Sequence, residues 1–306
     1  SFSALTLMEK YIKNIKLNYI ILGIVVLIFT FLAHQRTYYW RNGDVLFSDV
    51  LEKYPRYAYG YNNRGFLYWD HYAIDVYKDN PQMKEKYVEK ALQDFTKAIS
   101  LDYTYAEPFL NRGILYYNTG RPEQALADFN RFLELKPDNP DGLLNRANTL
   151  STLGKFNEAI PDYNKYLTKN DDPKAYMWRG VAYFNIQNYD SAIIDFNKSI
   201  EIDPDYYEPY YWLGVIYYNQ QNYNDALKFL DLSISKNSNN VNSYIWKGLC
   251  YMNMNEFHKA IEQYSKAIEI DPNNITAYIN RFNAYRLIGD VANAQKDFEI
   301  LQKFQQ

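Results

Sequence analysis

Apolar and small residues recur at helical spacing along most of the chain, and residues 175–204, AYMWRGVAYFNIQNYDSAIIDFNKSIEIDP, carry the clearest copy of the pattern. Apolar residues three or four places apart form two runs in this stretch, and the polar pair Gln187 and Asn188 separates them. The spacing predicts two amphipathic α-helices of about a dozen residues, joined by a polar turn. Gly180 and Ala192 lie 12 residues apart, one in each predicted helix. Because small side chains let two helices approach closely, we expect the helices to touch there.

The same two-helix unit recurs through the chain. Small residues in the place of Gly180 follow one another at steps of 34, 33, 34 and 34 residues: Gly113, Ala147, Gly180, Gly214 and Gly248. Phe282 takes this place after a further 34 residues. The pattern predicts seven repeats within residues 58–306, with the bounds 58–105, 106–139, 140–172, 173–206, 207–240, 241–274 and 275–306. In the first repeat, Gly65 and Ala91 are 26 residues apart, so we expect extended helices there, with Pro81 opening the second.

A period of 34 residues with Tyr or Phe, Gly or Ala, Tyr, Ala, Phe or Tyr, and Pro in fixed places resembles the tetratricopeptide repeat family. The resemblance covers the chain from about residue 58 to the C-terminus. It implies an all-α fold in which the repeats stack into a right-handed superhelix, an α-solenoid. It also implies that the first helix of each repeat lines a concave face, on which members of the family bind protein segments.

Two places in the repeat change together. The place before the small residue holds Arg in five repeats, Leu213 in the fifth repeat and Lys247 in the sixth. The place three after the second-helix Ala holds Asp wherever the first place holds Arg, but Phe229 opposite Leu213 and Gln263 opposite Lys247. We interpret the charged couples as structural ion pairs between the two helices of a repeat, replaced by an apolar contact in the fifth; catalytic acids are the alternative. The predicted pairs are Arg64 with Asp94, Arg112 with Asp128, Arg146 with Asp162, Arg179 with Asp195, and Arg281 with Asp297.

The resemblance places a candidate binding groove on the first helices, and the groove is rich in aromatic and apolar residues. Its candidate partner-binding residues are Asn63, Trp69, Asn111, Tyr117, Asn145, Met177, Trp178, Phe184, Tyr211, Trp212, Tyr218, Trp246 and Asn280. Four of the asparagines resemble the ladder with which some family members hold a peptide backbone, and three tryptophans replace that ladder in the middle repeats. The tryptophans either form a binding stripe for sugar rings or aromatic side chains, or each packs against the adjacent repeat. The Lys and Asn clamp of chaperone-binding relatives is missing.

The N-terminal region predicts a membrane anchor. Residues 19–33 form a run of 15 residues without a charge, which is shorter than the roughly 20 residues of a usual spanning helix. Lysines at positions 10, 13 and 16 precede the run, and Tyr38, Tyr39 and Trp40 follow it as an interfacial belt. We therefore expect a cytoplasmic or interfacial segment over 1–18, a transmembrane helix over 19–40 and a half-repeat linking helix over 41–57, with the repeats on the periplasmic or lumenal side. A core helix or a signal-peptide segment remains the alternative.

The junction after this run, RTYYWRNGDVLFSDVLEKYP followed by YNNRG, is similar to that of polytopic O-mannosyltransferase-like proteins with C-terminal repeats. The catalytic acidic residues of that family have no counterpart here, so the resemblance implies no activity for this chain. At the other end, Phe298 and Leu301 lie on a last second helix with no polar capping helix after it. We expect either that a partner covers them or that the native chain continues.

Composition and motifs point away from catalysis. The formal net charge of −3 argues against a dedicated nucleic-acid partner. Cys250 is the single cysteine, and His34, His71 and His258 are isolated, so we expect neither a metal nor a cofactor. No nucleotide-binding or hydrolase motif occurs. The sequence thus predicts a non-catalytic, membrane-anchored scaffold for a protein partner, with a glycan as a further candidate ligand. The alternatives are the C-terminal part of a membrane glycosyltransferase that recruits acceptor proteins, and a soluble peptide- or lipid-binding module.

Overall fold

The computed structural model describes Ile24, residues 26–30 and residues 43–304. Throughout these residues the regular structure is helical, so the expectation of an all-α fold is confirmed for them. A single linking helix comes first, α1 (Gly43–Lys53), and seven helix pairs follow. The pairs are α2 (Ala58–Phe66) and α3 (Pro81–Leu101), α4 (Glu107–Asn118) and α5 (Pro122–Leu135), α6 (Pro140–Thr152) and α7 (Phe156–Leu167), α8 (Pro173–Asn185) and α9 (Tyr189–Ile202), α10 (Tyr207–Asn219) and α11 (Tyr223–Lys236), α12 (Val241–Asn253) and α13 (Phe257–Ile270), and α14 (Ile275–Leu287) and α15 (Val291–Lys303).

The chain divides into two compact units, Ser1–Lys136 and Pro137–Gln306. The first unit holds α1 and repeats 1 and 2, and the second holds repeats 3 to 7. Within each unit, the second helix of one repeat packs against the first helix of the next. Each repeat therefore shields the apolar side of its neighbour, as expected for a repeat architecture.

The small residues of the repeat lie where its two helices meet. A Cβ atom added to Gly180 would lie 2.6 Å from Cε1 of Phe196, and one added to Gly113 would lie 2.7 Å from Cε1 of Phe129. Both phenylalanine side chains are fully buried. A larger residue at either glycine would force the helices apart, which explains why this place holds Gly or Ala in repeats 1 to 6.

The first repeat departs from the others. After α2, residues Leu67–Val76 form a π-helix, and its last turn is closed by the bond from the Tyr77 N–H to the Tyr72 carbonyl at 2.9 Å. The second helix then begins at Pro81, where the Asn80 side chain caps the N–H of Met83 at 3.1 Å. The sequence predicts long helices here but not the π-helix, because the hydrophobic period is too coarse to distinguish five-residue from four-residue hydrogen bonding.

None of the helices in the described ranges has the length and apolar character needed to cross a membrane. Ile24 and residues 26–30 are helical with exposed side chains. The remainder of the predicted 19–40 transmembrane helix, and the whole predicted 1–18 segment, lie outside the described residues.

Candidate binding surface on the first helices

The predicted Arg and Asp couples are ion pairs with two parallel hydrogen bonds. In repeat 4, Nε and Nη2 of Arg179 donate to the two carboxylate oxygens of Asp195, at 2.7 and 2.6 Å. The same geometry, at 2.6–2.9 Å, joins Arg64 to Asp94, Arg112 to Asp128, Arg146 to Asp162 and Arg281 to Asp297. All five Asp side chains are buried. The hydrogen bond to Asp94 raises the pKa of Arg64, and the bond to Asp162 does the same for Arg146, so both guanidinium groups stay charged.

Four of these arginines also reach the preceding element of the chain, a contact that the charge pattern does not predict. Nη1 of Arg179 donates to Oδ1 of Asn164 in repeat 3 at 2.8 Å, although the side chain is already paired with Asp195. Equivalent bonds run from Arg64 to Ser48, from Arg112 to Thr96 and from Arg281 to Ser265. Each acceptor comes two residues after the Asp place of the preceding second helix, where the sequence is polar in every repeat. Since Ser48 lies on α1, that helix occupies the position of a second helix before repeat 1.

Repeats 5 and 6 replace the ion pair in two different ways. In repeat 5, Leu213 is fully buried and the Phe229 ring stacks on Tyr217 with a centroid distance of 5.3 Å and an angle of 2°. In repeat 6, Lys247 forms its ion pair with Asp231 of repeat 5, at 2.6 Å, whereas the sequence places it opposite Gln263 of its own repeat. Lysine thus moves the charged contact from its own repeat to the preceding one, because a point charge needs only one carboxylate and no bidentate partner.

The thirteen candidate groove residues differ widely in accessibility. Trp69 and Met177 are buried in the repeat cores and present almost no surface. Asn63 and Trp178 are exposed, and the side chain of Trp178 retains 44% of its accessible area. The remaining nine are partly buried: Asn111, Tyr117, Asn145, Phe184, Tyr211, Trp212, Tyr218, Trp246 and Asn280.

The predicted asparagine ladder is split between the two units and is partly engaged. In the first unit, Nδ2 of Asn111 donates to Oδ1 of Asn62 at 3.0 Å, and Asn62 in turn donates to the Tyr105 hydroxyl at 3.2 Å. In the second unit, Nδ2 of Asn145 donates to the Asp141 carbonyl of its own helix at 2.8 Å. Asn280 lies four repeats further on. The ladder therefore runs through consecutive repeats only in the first unit, where Asn62 bonds to both Asn63 and Asn111, and it is interrupted in the second unit.

The three tryptophans occupy equivalent places but not equivalent surroundings. Trp212 packs on Phe184 of the preceding repeat, with ring centroids 5.1 Å apart. Trp246 packs edge-on against Tyr218 of its preceding repeat at 5.0 Å, and its Nε1–H donates to the Tyr211 hydroxyl at 3.0 Å. Packing against the adjacent repeat thus accounts for two of the three tryptophans, and Trp178 is the exposed one.

The histidines and the cysteine are the side chains to consider for metal or nucleophilic chemistry. No group of three or more His, Cys, Asp or Glu residues in that part of the chain could hold a metal ion. His71 and His258 are exposed, and His34 lies outside the described residues. Burial raises the pKa of the Cys250 thiol to about 12, so this side chain stays protonated and unreactive at neutral pH.

Comparison with known proteins identifies the repeat. Family models described as tetratricopeptide repeat match residues 88–140 and 110–172, residues 173–206 and 241–274, and residues 196–228 and 264–296. Together the matches extend over 88–228 and 241–296, more than half of the 306 residues. No curated protein matches the chain.

Solved structures of repeat proteins share the fold at low sequence identity. A tetratricopeptide repeat protein from Parabacteroides merdae is 20% identical, with a TM-score of 0.60 over 76% of this chain and 92% of that one. PilF of Pseudomonas aeruginosa is 16% identical, with a TM-score of 0.56 over 66% and 92%. The Cut9–Hcn1 hetero-tetramer of APC/C contains a chain that is 19% identical, with a TM-score of 0.56 over 78% and 45%. With its 34-residue period, its helix pairs and these family matches, the chain belongs to the tetratricopeptide repeat family.

Proposed function

We propose that this protein is a non-catalytic scaffold that binds a segment of a protein partner on the first helices of its repeats. Tetratricopeptide repeats are protein-interaction modules, and one of the similar structures is a hetero-tetramer. The observation that carries the proposal for this chain is the exposed indole of Trp178, on the first helix of repeat 4. Tryptophan is among the residues that most often dominate binding energy in protein interfaces.

The surroundings of Trp178 favour a binding role over an accidental exposure. Partly buried aromatic and amide side chains, including Phe184, Tyr211 and Asn145, occupy the first helices of repeat 4 and of the two repeats beside it. A face of this composition offers apolar contact together with hydrogen-bonding groups for a peptide backbone. The bonds of the Arg and Asp pairs hold the first helices in fixed register, so the face is organised before a partner arrives.

Two exposed apolar residues of repeat 4 provide a matched test. We would select peptides on the purified full chain by display and measure their affinity for the Trp178→Ala and Ile194→Ala variants. Ile194 is 67% exposed on the second helix α9 and serves as the control. We expect Trp178→Ala to weaken binding at least tenfold and Ile194→Ala to leave it within about twofold. Equal affinity of both variants and the wild type would remove the proposed face.

We further propose that residues 19–40 attach the scaffold to a membrane. The support is the uncharged run over 19–33, together with the exposed apolar side chains of Ile24, Leu27 and Phe29 on helical backbone. Alkaline carbonate extraction of native membranes tests this: the protein should stay in the pellet, and a variant lacking 19–40 should move to the supernatant. Release of the unaltered protein by carbonate would end the proposal.

The glycosyltransferase alternative concerns the junction before the repeats. The family matches begin at residue 88, so they leave the resemblance of that junction to O-mannosyltransferase-like proteins as a prediction. Mass spectrometry of the protein isolated from its native source would decide whether further membrane helices precede Ser1. A native chain beginning at Ser1 would exclude this alternative.

A further inference from the structure

The repeats themselves indicate what lies against an indole on the first helices. Counting the place of Gly180 as the eighth in its repeat, Trp178, Trp212 and Trp246 all occupy the sixth place. Trp212 and Trp246 each contact the ring in the twelfth place of the preceding repeat, Phe184 at 5.1 Å and Tyr218 at 5.0 Å. Both pairs are inclined, at 56° and 76°, within the geometry that aromatic pairs prefer.

Repeat 3 lacks this ring. Its twelfth place, the one preceding Trp178, holds Ser151, whose side chain ends at a hydroxyl. Trp178 is accordingly exposed, whereas Trp212 and Trp246 are partly buried. Because repeat 3 has no ring in this place, the Trp178 indole lacks the aromatic neighbour that Trp212 and Trp246 have.

Neighbouring side chains of repeat 3 are held in other contacts. The Tyr163 hydroxyl donates to Oδ1 of Asn148 at 2.7 Å and lies 3.4 Å from the Ser151 hydroxyl. The Tyr163 ring is itself fully buried beneath the first helix. These bonds hold Tyr163 within its own repeat, so its ring does not take the missing place beside Trp178.

We infer that the partner supplies the missing ring: a Phe or Tyr side chain of a bound protein segment lies against Trp178, as Phe184 lies against Trp212 and Tyr218 against Trp246. This inference rests on the proposed function and adds the chemical identity of the anchor. An aromatic side chain is favoured over a sugar ring because both filled examples in this chain are aromatic pairs.

Small probes test the chemistry directly. The indole N–H signals of the full chain can be followed by ¹H–¹⁵N NMR, with the Trp178 signal assigned from its loss in Trp178→Phe. N-acetyl-phenylalaninamide should shift this signal selectively, and N-acetyl-cyclohexylalaninamide, which has the same bulk without the aromatic ring, should bind at least about threefold more weakly. Equal affinity for the two probes, or a selective shift with methyl α-mannoside but not with the aromatic probe, would overturn the inference.

A substitution that adds a ring at the twelfth place of repeat 3 tests whether this place lies against Trp178. Ser151→Phe should lie against Trp178 and bury it, so the acrylamide quenching of tryptophan fluorescence should fall while the helix content by circular dichroism stays unchanged. The same variant should bind the display-selected peptides at least tenfold more weakly, whereas Ser151→Ala should bind them as the wild type does. Unchanged quenching in a folded Ser151→Phe variant would contradict the equivalence on which the inference depends.

The two proposals fail in distinguishable ways. If the selected peptides lose affinity in Trp178→Ala but carry no aromatic residue that their own substitution scan requires, the proposed function stands and the aromatic anchor is wrong. If Trp178→Ala leaves their affinity unchanged, the proposed function is wrong at this face, and the anchor falls with it.

Discussion

One residue in each of six repeats takes a left-handed backbone conformation to close the turn between the two helices. Glycine supplies it in three of them, with φ of 72–74°: Gly120, Gly154 and Gly289. In repeats 4, 5 and 6 the same place holds residues with side chains, with φ of 59–62°: Gln187, Gln221 and Asn255. For an L-residue with a Cβ this conformation costs roughly 1–2 kcal/mol, and glutamine lacks the local hydrogen bonding that eases it for asparagine. Repeats 4 and 5 therefore each carry a small backbone strain that repeats 2, 3 and 7 avoid.

Gln187→Gly and Gln221→Gly should each raise the free energy of unfolding by about 0.5–1 kcal/mol, because the relief of strain exceeds the added freedom of glycine in the unfolded chain. Urea titration followed by circular dichroism would measure the change. The reverse variant, Gly154→Gln, has nothing within 4 Å of its added Cβ, so any loss it causes comes from the backbone alone. A stability loss in both Gln-to-Gly variants would contradict the explanation.

A second difference between repeats concerns two buried tyrosines in equivalent places. The Tyr163 hydroxyl donates to Asn148 at 2.7 Å, whereas the Tyr264 hydroxyl is buried with no hydrogen-bond partner among the described residues. The reason lies in the first helix above them, where Leu249 replaces Asn148. Burial accordingly raises the pKa of Tyr264, and its phenol stays neutral at neutral pH.

Tyr264→Phe should raise the free energy of unfolding by about 1 kcal/mol, because it removes a polar group whose burial is not offset by a hydrogen bond. Tyr163→Phe should lower it by a similar amount, since it leaves the Asn148 amide oxygen without its donor. Both variants change one oxygen atom in a fully buried ring, so packing losses cancel in the comparison. Thermal unfolding by calorimetry would give the sign of each change, and the same sign for both would refute the assignment.

At the scale of the helices, the paired arginines of repeats 1, 2, 4 and 7 each link three helices rather than two. Arg179 on α8 binds Asp195 on α9 and also Asn164 on α7, so one side chain fixes both the hairpin and its contact with the preceding repeat. Its guanidinium also lies over the ring of Tyr176, 5.4 Å from the centroid. In repeat 5, Phe229 stands in the place of Asp195, and its ring stacks on that of Tyr217. The chain thus contains its own apolar substitute for the ion pair.

Asp195→Ala should destabilise the protein by about 3 kcal/mol, because it leaves a largely buried guanidinium without its carboxylate. The double variant Arg179→Leu with Asp195→Phe reproduces the residues of repeat 5 and should recover most of the loss, to within about 1 kcal/mol of the wild type. Chemical denaturation of the wild type, of the single variants Arg179→Leu and Asp195→Phe, and of the double variant would complete the cycle. A double variant as unstable as the sum of its single changes would mean that repeat 5 tolerates its apolar pair for another reason.

Many of these contacts between helices can be predicted from the sequence. The others cannot, for physical reasons that differ from case to case. The joint change of two places predicts the pairing of Arg179 with Asp195, because both partners lie within one repeating unit and are compared several times. The bond to Asn164 crosses from one repeat to the next and uses a neutral side chain, so no charge pattern reveals it. The exposure of Trp178 was not predictable from its own place either, since it depends on Ser151, one repeat earlier. The π-helix of repeat 1 needs hydrogen-bond geometry that hydrophobic spacing does not encode.

At the scale of the whole molecule, stability should vary along the chain, since each repeat is supported mainly by its neighbours. Repeat 7 exposes apolar residues at places that are covered in repeat 4. Phe282 fills the place that is Gly180 in repeat 4, and Phe298, which corresponds to the fully buried Phe196, is 40% exposed. Val291, at the start of α15, is 76% exposed. At these two places repeat 7 leaves more apolar surface exposed than repeat 4, so the free energy of local opening of its described part should be lower.

Hydrogen exchange measured by mass spectrometry on the full chain would test this gradient. Peptides from α15 should exchange at least about tenfold faster than peptides from α9, because α9 is covered by the next repeat while the described chain places no further helix on α15. The helices are of similar length, 13 and 14 residues, so end fraying contributes equally to both. Val291→Ala serves as the control: its side chain is exposed, and the change should leave the exchange of α15 within about twofold of the wild type. Protection of α15 equal to that of α9 in the isolated monomer would contradict this expectation. It would show that the stability of a repeat depends on more than its nearest neighbours.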